Sequence, residues 1–239
     1  MIRKIIASTI LVLLLSSIPS YALTIGELIE KVKGNQAKVL DMSAEITTTM
    51  TSNIQGNDYK LIQKGKLWTK TPNKSKIEVL SPVRQITITN GNIITVISPD
   101  TGQKIVQDIS EMKGKAGIPD SGDMMNISKA LEYFNLTTAQ TDTGAYLITG
   151  TPKEKNDFLG KMEFLLDPAR YVFTQISIYN PQGGLISLSK VEYANISNCW
   201  VPMKNNSTIT MPTGGMNMEM IFENIQVNKG IADVEFEVK

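Results

Sequence analysis

The chain has no histidine and one cysteine, Cys199, among its 239 residues. Without imidazole, Ser-His-Asp and Cys-His catalysis and most zinc sites are removed together. Hydrolysis would then need a Ser/Lys pair or two facing carboxylates, and no carboxylate pair stands out. The densest acidic spot, Asp120-Ser121-Gly122-Asp123, lacks the alternating ligands of a calcium loop. Its composition is that of a polar turn. Cys199 has no basic neighbour in sequence that would activate it as a nucleophile and no second cysteine to pair with, so it reads as a buried structural thiol. No catalytic residue, metal site or cofactor is expected, and the chain reads as a non-enzyme.

The positive signal is methionine. Met216, Met218, Met220 and Phe222 occupy alternate positions, with Asn217 and Glu219 between them, which is the pattern of a strand with one apolar face. Met203 and Met211 lie near by, while Met112, Met124 and Met125 fall in a Gly-rich segment. Unbranched, polarizable side chains repack around ligands of varied shape. The same stripe is equally what a Met-filled core would show.

The elements that must position these residues are mostly strands. Gly65–Pro99 reads as three consecutive strands punctuated by Pro72-Asn73, Ser81-Pro82 and Asn90-Gly91, with Leu67, the pair Ile77 and Val79, and the pair Ile86 and Ile88 setting the alternation. Asn-Gly between β-branched runs is a strong hairpin signal. Upstream, Thr24-x-x-Glu27 is a capping box, followed by a partial helical stripe of Ile25, Leu28, Ile29, Val32, Val39 and Leu40. Ala44, Ile46, Thr48 and Met50 begin the first strand.

From Lys104 to Leu136 the periodicity breaks, with Met112, Ile118, Met124, Met125, Leu131 and Phe134 scattered among glycines and a short helix expected over Ser128–Phe134. A connection of this length is usually functional or disordered, and it reads as a mobile flap with an apolar inner side. The second half is a β meander through Ala145–Thr149, Lys161–Leu166, Tyr171–Tyr179 and Leu185–Tyr193 to a hairpin at Pro212–Gly215.

The Gly65–Pro99 stretch resembles the LolA-like periplasmic lipoprotein carriers, whose pattern runs G-x-L-W-x-K-R-P-N, then an alternating strand to Pro, then I-x-V-x-D/N-G and a strand ending in Pro. Gly65, Leu67, Trp68, Lys70, Pro72, Asn73, Pro82, Ile86, Ile88, Gly91 and Pro99 match without a gap. Trp200-Val201-Pro202 and the closing Gly230-Ile231-Ala232-Asp233 with Phe236 also fit the broader group. The resemblance spans the chain after residue 22 and is thinnest between Lys113 and Lys155. One departure is Thr71, which stands where carrier members have an Arg that holds the lid; Arg84 is the candidate substitute.

The resemblance implies an open, strongly curved antiparallel half-barrel, α+β in class, with an N-terminal helix and a helical flap over its concave apolar face. It implies a carrier that binds the acyl chains of lipoproteins or a related amphiphile and transfers them towards the outer membrane. The cavity-lining candidates are Met50, Leu67, Ile77, Val79, Ile86, Ile88, Met112, Met124, Met125, Met216, Met218, Met220 and Phe222. Expected partners are the acylated cargo, an inner-membrane release complex and an outer-membrane acceptor, with the protein a monomer. Two alternatives share the architecture: an envelope module that senses lipid or lipoprotein and regulates a membrane partner, and a glycolipid carrier.

The N-terminus bears on the compartment. Arg3 and Lys4 precede an apolar run from Ile5 to Ile18, then Ser20-Tyr21-Ala22. This is the form of a cleavable secretory signal peptide, leaving residues 23–239 as one domain in the periplasm. A formal net charge of +1 provides no basic face for nucleic acid.

Overall fold

The computed structural model describes residues 23–54, 56–110, 133–155, 157–211 and 214–238. The first described element is α1 (Ile25–Gln36), and its start is the capping box expected from sequence. The Thr24 backbone N–H donates to Glu27 Oε2 at 2.8 Å, and the Glu27 N–H donates back to Thr24 Oγ1 at 3.3 Å. The Thr24 backbone N–H and hydroxyl, both donating to the carboxylate, hold the Glu27 carboxyl below its usual range. Leu28, Ile29 and Val32 form the buried stripe. The helix stops before Val39 and Leu40, so neither continues that stripe: Val39 packs in a second cluster and Leu40 is exposed.

The strands follow in chain order: β1 (Asp41–Ile54), β2 (Asn57–Lys70), β3 (Lys74–Ser81), β4 (Gln85–Asn90), β5 (Ile93–Ser98), β6 (Gln103–Asp108), β7 (Phe134–Gln140), β8 (Tyr146–Pro152), β9 (Lys161–Leu166), β10 (Phe173–Tyr179), β11 (Leu185–Ile196), β12 (Cys199–Met211) and β13 (Gly214–Val227). Gly65–Pro99 thus holds parts of four strands rather than three, because Asn90-Gly91 separates β4 from a further strand, β5. All thirteen form one open antiparallel sheet in the order β6-β5-β4-β3-β2-β1-β13-β12-β11-β10-β9-β8-β7. The sheet is curved and does not close into a barrel. Only β1 and β13 pair out of sequence order, so two meanders are joined down the middle.

Each meander is covered on a different side. Opposed residues in an antiparallel pair project to one face, so the register assigns every strand residue a side. On one side, here the helix face, α1 lies over the β7–β10 end. Leu28, Ile29 and Val32 pack there with Phe134, Ile148, Met162, Phe164 and Leu166. The Phe164 and Phe173 rings sit 5.4 Å apart. A second cluster of Met42, Cys199, Val201 and Val227 closes the end of the central strands.

On the other side, the chain after β13 forms a strap. Lys229 and Gly230 donate their backbone N–H groups to the Asp41 carboxylate at 2.8 and 2.9 Å. A 3-10 turn, Asp233–Phe236, then crosses β3 and β4. Lys70 and Lys74 hold Asp233 at 2.6 and 3.1 Å, Lys76 holds Glu235 at 3.3 Å, and Phe236 is 1% exposed. Of the flap expected over Lys104–Leu136, with a helix over Ser128–Phe134, residues 111–132 lie outside the described residues; its start, Lys104–Asp108, belongs to β6, and Phe134, expected to end the helix, opens β7.

Candidate functional site

The helix face of the central strands is where the sequence-derived apolar residues meet. Met50 opposes Met218 on β13 and Leu61 on β2. Met216 opposes Ser52, Met220 opposes Thr48, and Phe222 opposes Ile46. Leu67 stands between Ala44 and Ile77, and Val79 faces Gly65 across the β2–β3 bulge. Met50, Leu67, Ile77, Val79, Met216, Met218, Met220 and Phe222 therefore share one surface. All eight are half-buried, whereas the residues under α1 are buried.

Ile86 and Ile88 do not join that surface. Ile86 opposes Glu78 and Ile88 opposes Lys76, so both project to the strap side, and Thr87 occupies the helix face beside Ile77. Ile88 is 4% exposed and adjoins Phe236 at a cavity of about 290 Å³. The physical reason is parity. Alternation fixes which residues share a side within a strand, but the Pro82–Arg84 connection between β3 and β4 decides which side of the sheet each set takes.

Arg84 lies in that connection, exposed, with Nη1 3.9 Å from the Asp100 carboxylate. Thr71 donates both its N–H and its hydroxyl to the Leu40 carbonyl, at 2.9 and 3.1 Å. Met112, Met124 and Met125, with the lid that Arg84 was expected to hold, fall outside the described residues. Cys199 is buried, with Sγ 3.4 Å from the Lys38 carbonyl oxygen. Among the described residues, no three His, Cys, Asp or Glu side chains gather as metal ligands.

Sequence reading missed how charge is divided. Every Asp, Glu and Lys of the thirteen strands falls on the strap side. Glu45, Lys66 and Glu78 stand in one row across β1–β3, and Glu219 and Lys190 flank Asn206 in another across β13–β11. Several pair: Lys204 with Glu219 at 2.7 Å and Lys161 with Glu163 at 2.6 Å. The Lys161 bond, joined by the Tyr179 hydroxyl, holds the Glu163 carboxyl below its usual range against the opposing effect of burial. The helix face of the strands carries no ionised side chain. Its polar members are neutral, among them Thr48, Asn205, Ser207 and Ser189. Such a surface can take up apolar matter by area burial and offers no ionised group for acid–base or metal chemistry.

Comparison with known proteins agrees with this architecture. The model of the family described as outer membrane lipoprotein carrier protein LolA matches residues 37–197, more than half of the chain. The chain belongs to the LolA family. The match ends before β13, so the Met216–Phe222 stripe is tied to the family region by its pairing with β1. A LolA superfamily protein from Nitrosomonas europaea superposes with a TM-score of 0.62 at 12% identity, covering 91% of this chain and 99% of that one. A Vibrio parahaemolyticus domain named for outer membrane lipoprotein sorting gives 0.59 at 16% identity, covering 87% and 95%. At those identities the likeness is one of fold. No curated protein matches the chain in sequence, and no helix among the described residues is long and apolar enough to cross a membrane.

Proposed function

We propose that this LolA-family protein is a periplasmic carrier that binds the acyl chains of lipoproteins, or of a related amphiphile, on the helix face of its sheet and passes them towards the outer membrane. The observation that carries the reading is the segregation of charge: all ionised strand residues lie on one side, leaving Met50, Met216, Met218, Met220 and Phe222 on the other. The family's description supports the class of cargo, and the signal-peptide pattern at Arg3–Ala22 supports the compartment.

The energetics fit. Each CH₂ removed from water is worth about 0.8 kcal/mol, so one long acyl chain gains on the order of 10 kcal/mol on an apolar surface. Methionine adapts to chains of different length without a fixed shape. Nothing covalent is needed, and release is a matter of transfer to a competing apolar site.

Native mass spectrometry of protein prepared from the periplasm, followed by solvent extraction, tests the reading. Acylated species should accompany the wild-type protein and be lost from folded Met218→Asp, which sets a carboxylate among the methionines. A wild-type protein that is bare and takes up no added acyl compound contradicts it.

A further inference from the structure

The helix face is apolar along β13 but not along the two strands beyond it. Met220 opposes Asn205, while Met218 opposes Ser207, which in turn opposes Ser189 on β11. A polar row therefore runs beside the methionines. Ser207 is 7% exposed.

The direction of the hydrogen bonds fixes what this row offers. Ser207 Oγ donates to Asn205 Oδ1 at 3.3 Å, and the Ser189 and Ser207 hydroxyl oxygens are 2.6 Å apart. A hydroxyl has one proton. With the Ser207 proton given to Asn205, Ser189 must donate to Ser207. The chain of bonds runs Ser189 to Ser207 to Asn205 and ends on the amide oxygen. The amide NH₂ of Asn205, the residue that opposes Met220 on β13, is then the donor end.

A donor on an apolar, uncharged surface suits one kind of group. The carbonyl of an ester accepts hydrogen bonds and carries no charge, and in an acyl lipid it sits where the hydrocarbon begins. An ionised phosphate or carboxylate brought onto the same surface would meet no Lys or Arg from the strands, and burying it unpaired is costly. We infer that Asn205, supported by Ser207 and Ser189, receives the ester carbonyl of an uncharged diacylglyceryl group whose chains lie over Met216, Met218 and Met220, so that the site prefers an uncharged acyl ester to one bearing a phosphate at that point. This rests on the carrier reading above and adds the part of the cargo that is recognised.

The test is displacement of a fluorescent acyl probe from the full mature chain by dioleoylglycerol and by dioleoylphosphatidate, which share both chains and differ by one phosphate. Dioleoylglycerol should displace the probe at about tenfold lower concentration, a factor equivalent to about 1.4 kcal/mol. Asn205→Leu should weaken both diesters by about five- to tenfold, since both present the same ester carbonyls, and leave dioleoylglycerol the better competitor. Asn205→Asp, which keeps the shape and replaces the donor by an acceptor, should weaken dioleoylglycerol by about five- to tenfold; it serves if the leucine variant does not fold. Equal displacement by the two lipids in the wild-type protein, or undiminished affinity for dioleoylglycerol in a folded Asn205 variant, overturns the inference and leaves the carrier reading intact. Failure of the wild-type protein to bind the probe at all overturns both.

Discussion

Tyr193 illustrates how far a single half-buried group shapes the behaviour of the sheet. Its hydroxyl donates to the Phe173 carbonyl at 3.0 Å across β10 and β11, and burial pushes its pKa from 10.0 up to about 12, with the nearby Arg170 acting in the opposite direction. A proton held more tightly in the folded than in the unfolded chain stabilises the fold below the unfolded value. That contribution falls away as pH rises from 10.0 towards about 12. Tyr193→Phe should lose about 1 kcal/mol at neutral pH with its hydrogen bond, yet show a smaller fall in stability between pH 9 and pH 11 than the wild type. Urea midpoints at the two pH values check this, and an equal fall in both proteins counts against it.

What was legible in single residues was alternation. It set Met216, Met218, Met220 and Phe222 on one face, and the Thr-x-x-Glu spacing separately marked the capping box at Thr24 and Glu27. It could not place Ile86 and Ile88, because a short connection decides parity and contains no periodic signal of its own. Nor could it see Asn205, Ser207 and Ser189 as one row, since they belong to two strands whose register is fixed only by pairing.

At the scale of elements, the helix and the strap divide the two faces between them. α1 covers β7–β10 on the helix face, and the strap covers β3–β5 on the opposite one. The strap was foreshadowed by the Gly230-Ile231-Ala232-Asp233 turn and Phe236, although its lysine partners on β2 and β3 lie far away in sequence and could not be read from it. Gly230 adopts φ +79 at the point where its N–H meets the Asp41 carboxylate, a conformation that favours glycine. Phe236→Ala removes a side chain that is 1% exposed and should cost about 3–5 kcal/mol, read as a lower urea midpoint. Because the strap lies across the sheet from the methionines, the folded variant should still bind an acyl probe with near wild-type affinity. A large loss of affinity in that variant would mean that the two faces are coupled.

For the whole molecule, the central feature is a thirteen-stranded open sheet with charge on one side and methionine on the other. The fold class could be read from sequence because the turn signals are strong and the Gly65–Pro99 pattern is distinctive. Charge segregation could not, because it depends on the register of every pair and on the single out-of-order pairing of β1 with β13. That pairing brings Met50, from the start of the chain, beside Met218, from near its end, and makes one surface out of two meanders.

Photolabelling maps that surface most directly. A diacyl ester with a diazirine midway along one chain would be bound to the purified protein, irradiated, and the adducts located by peptide mass spectrometry. Adducts should fall on helix-face residues of β1, β12 and β13, Met50, Met216, Met218 and Met220 foremost, with few on the strap side. Adducts concentrated around Ile86 and Ile97 beneath the strap, or spread evenly over both faces, would contradict an acyl site on the helix face.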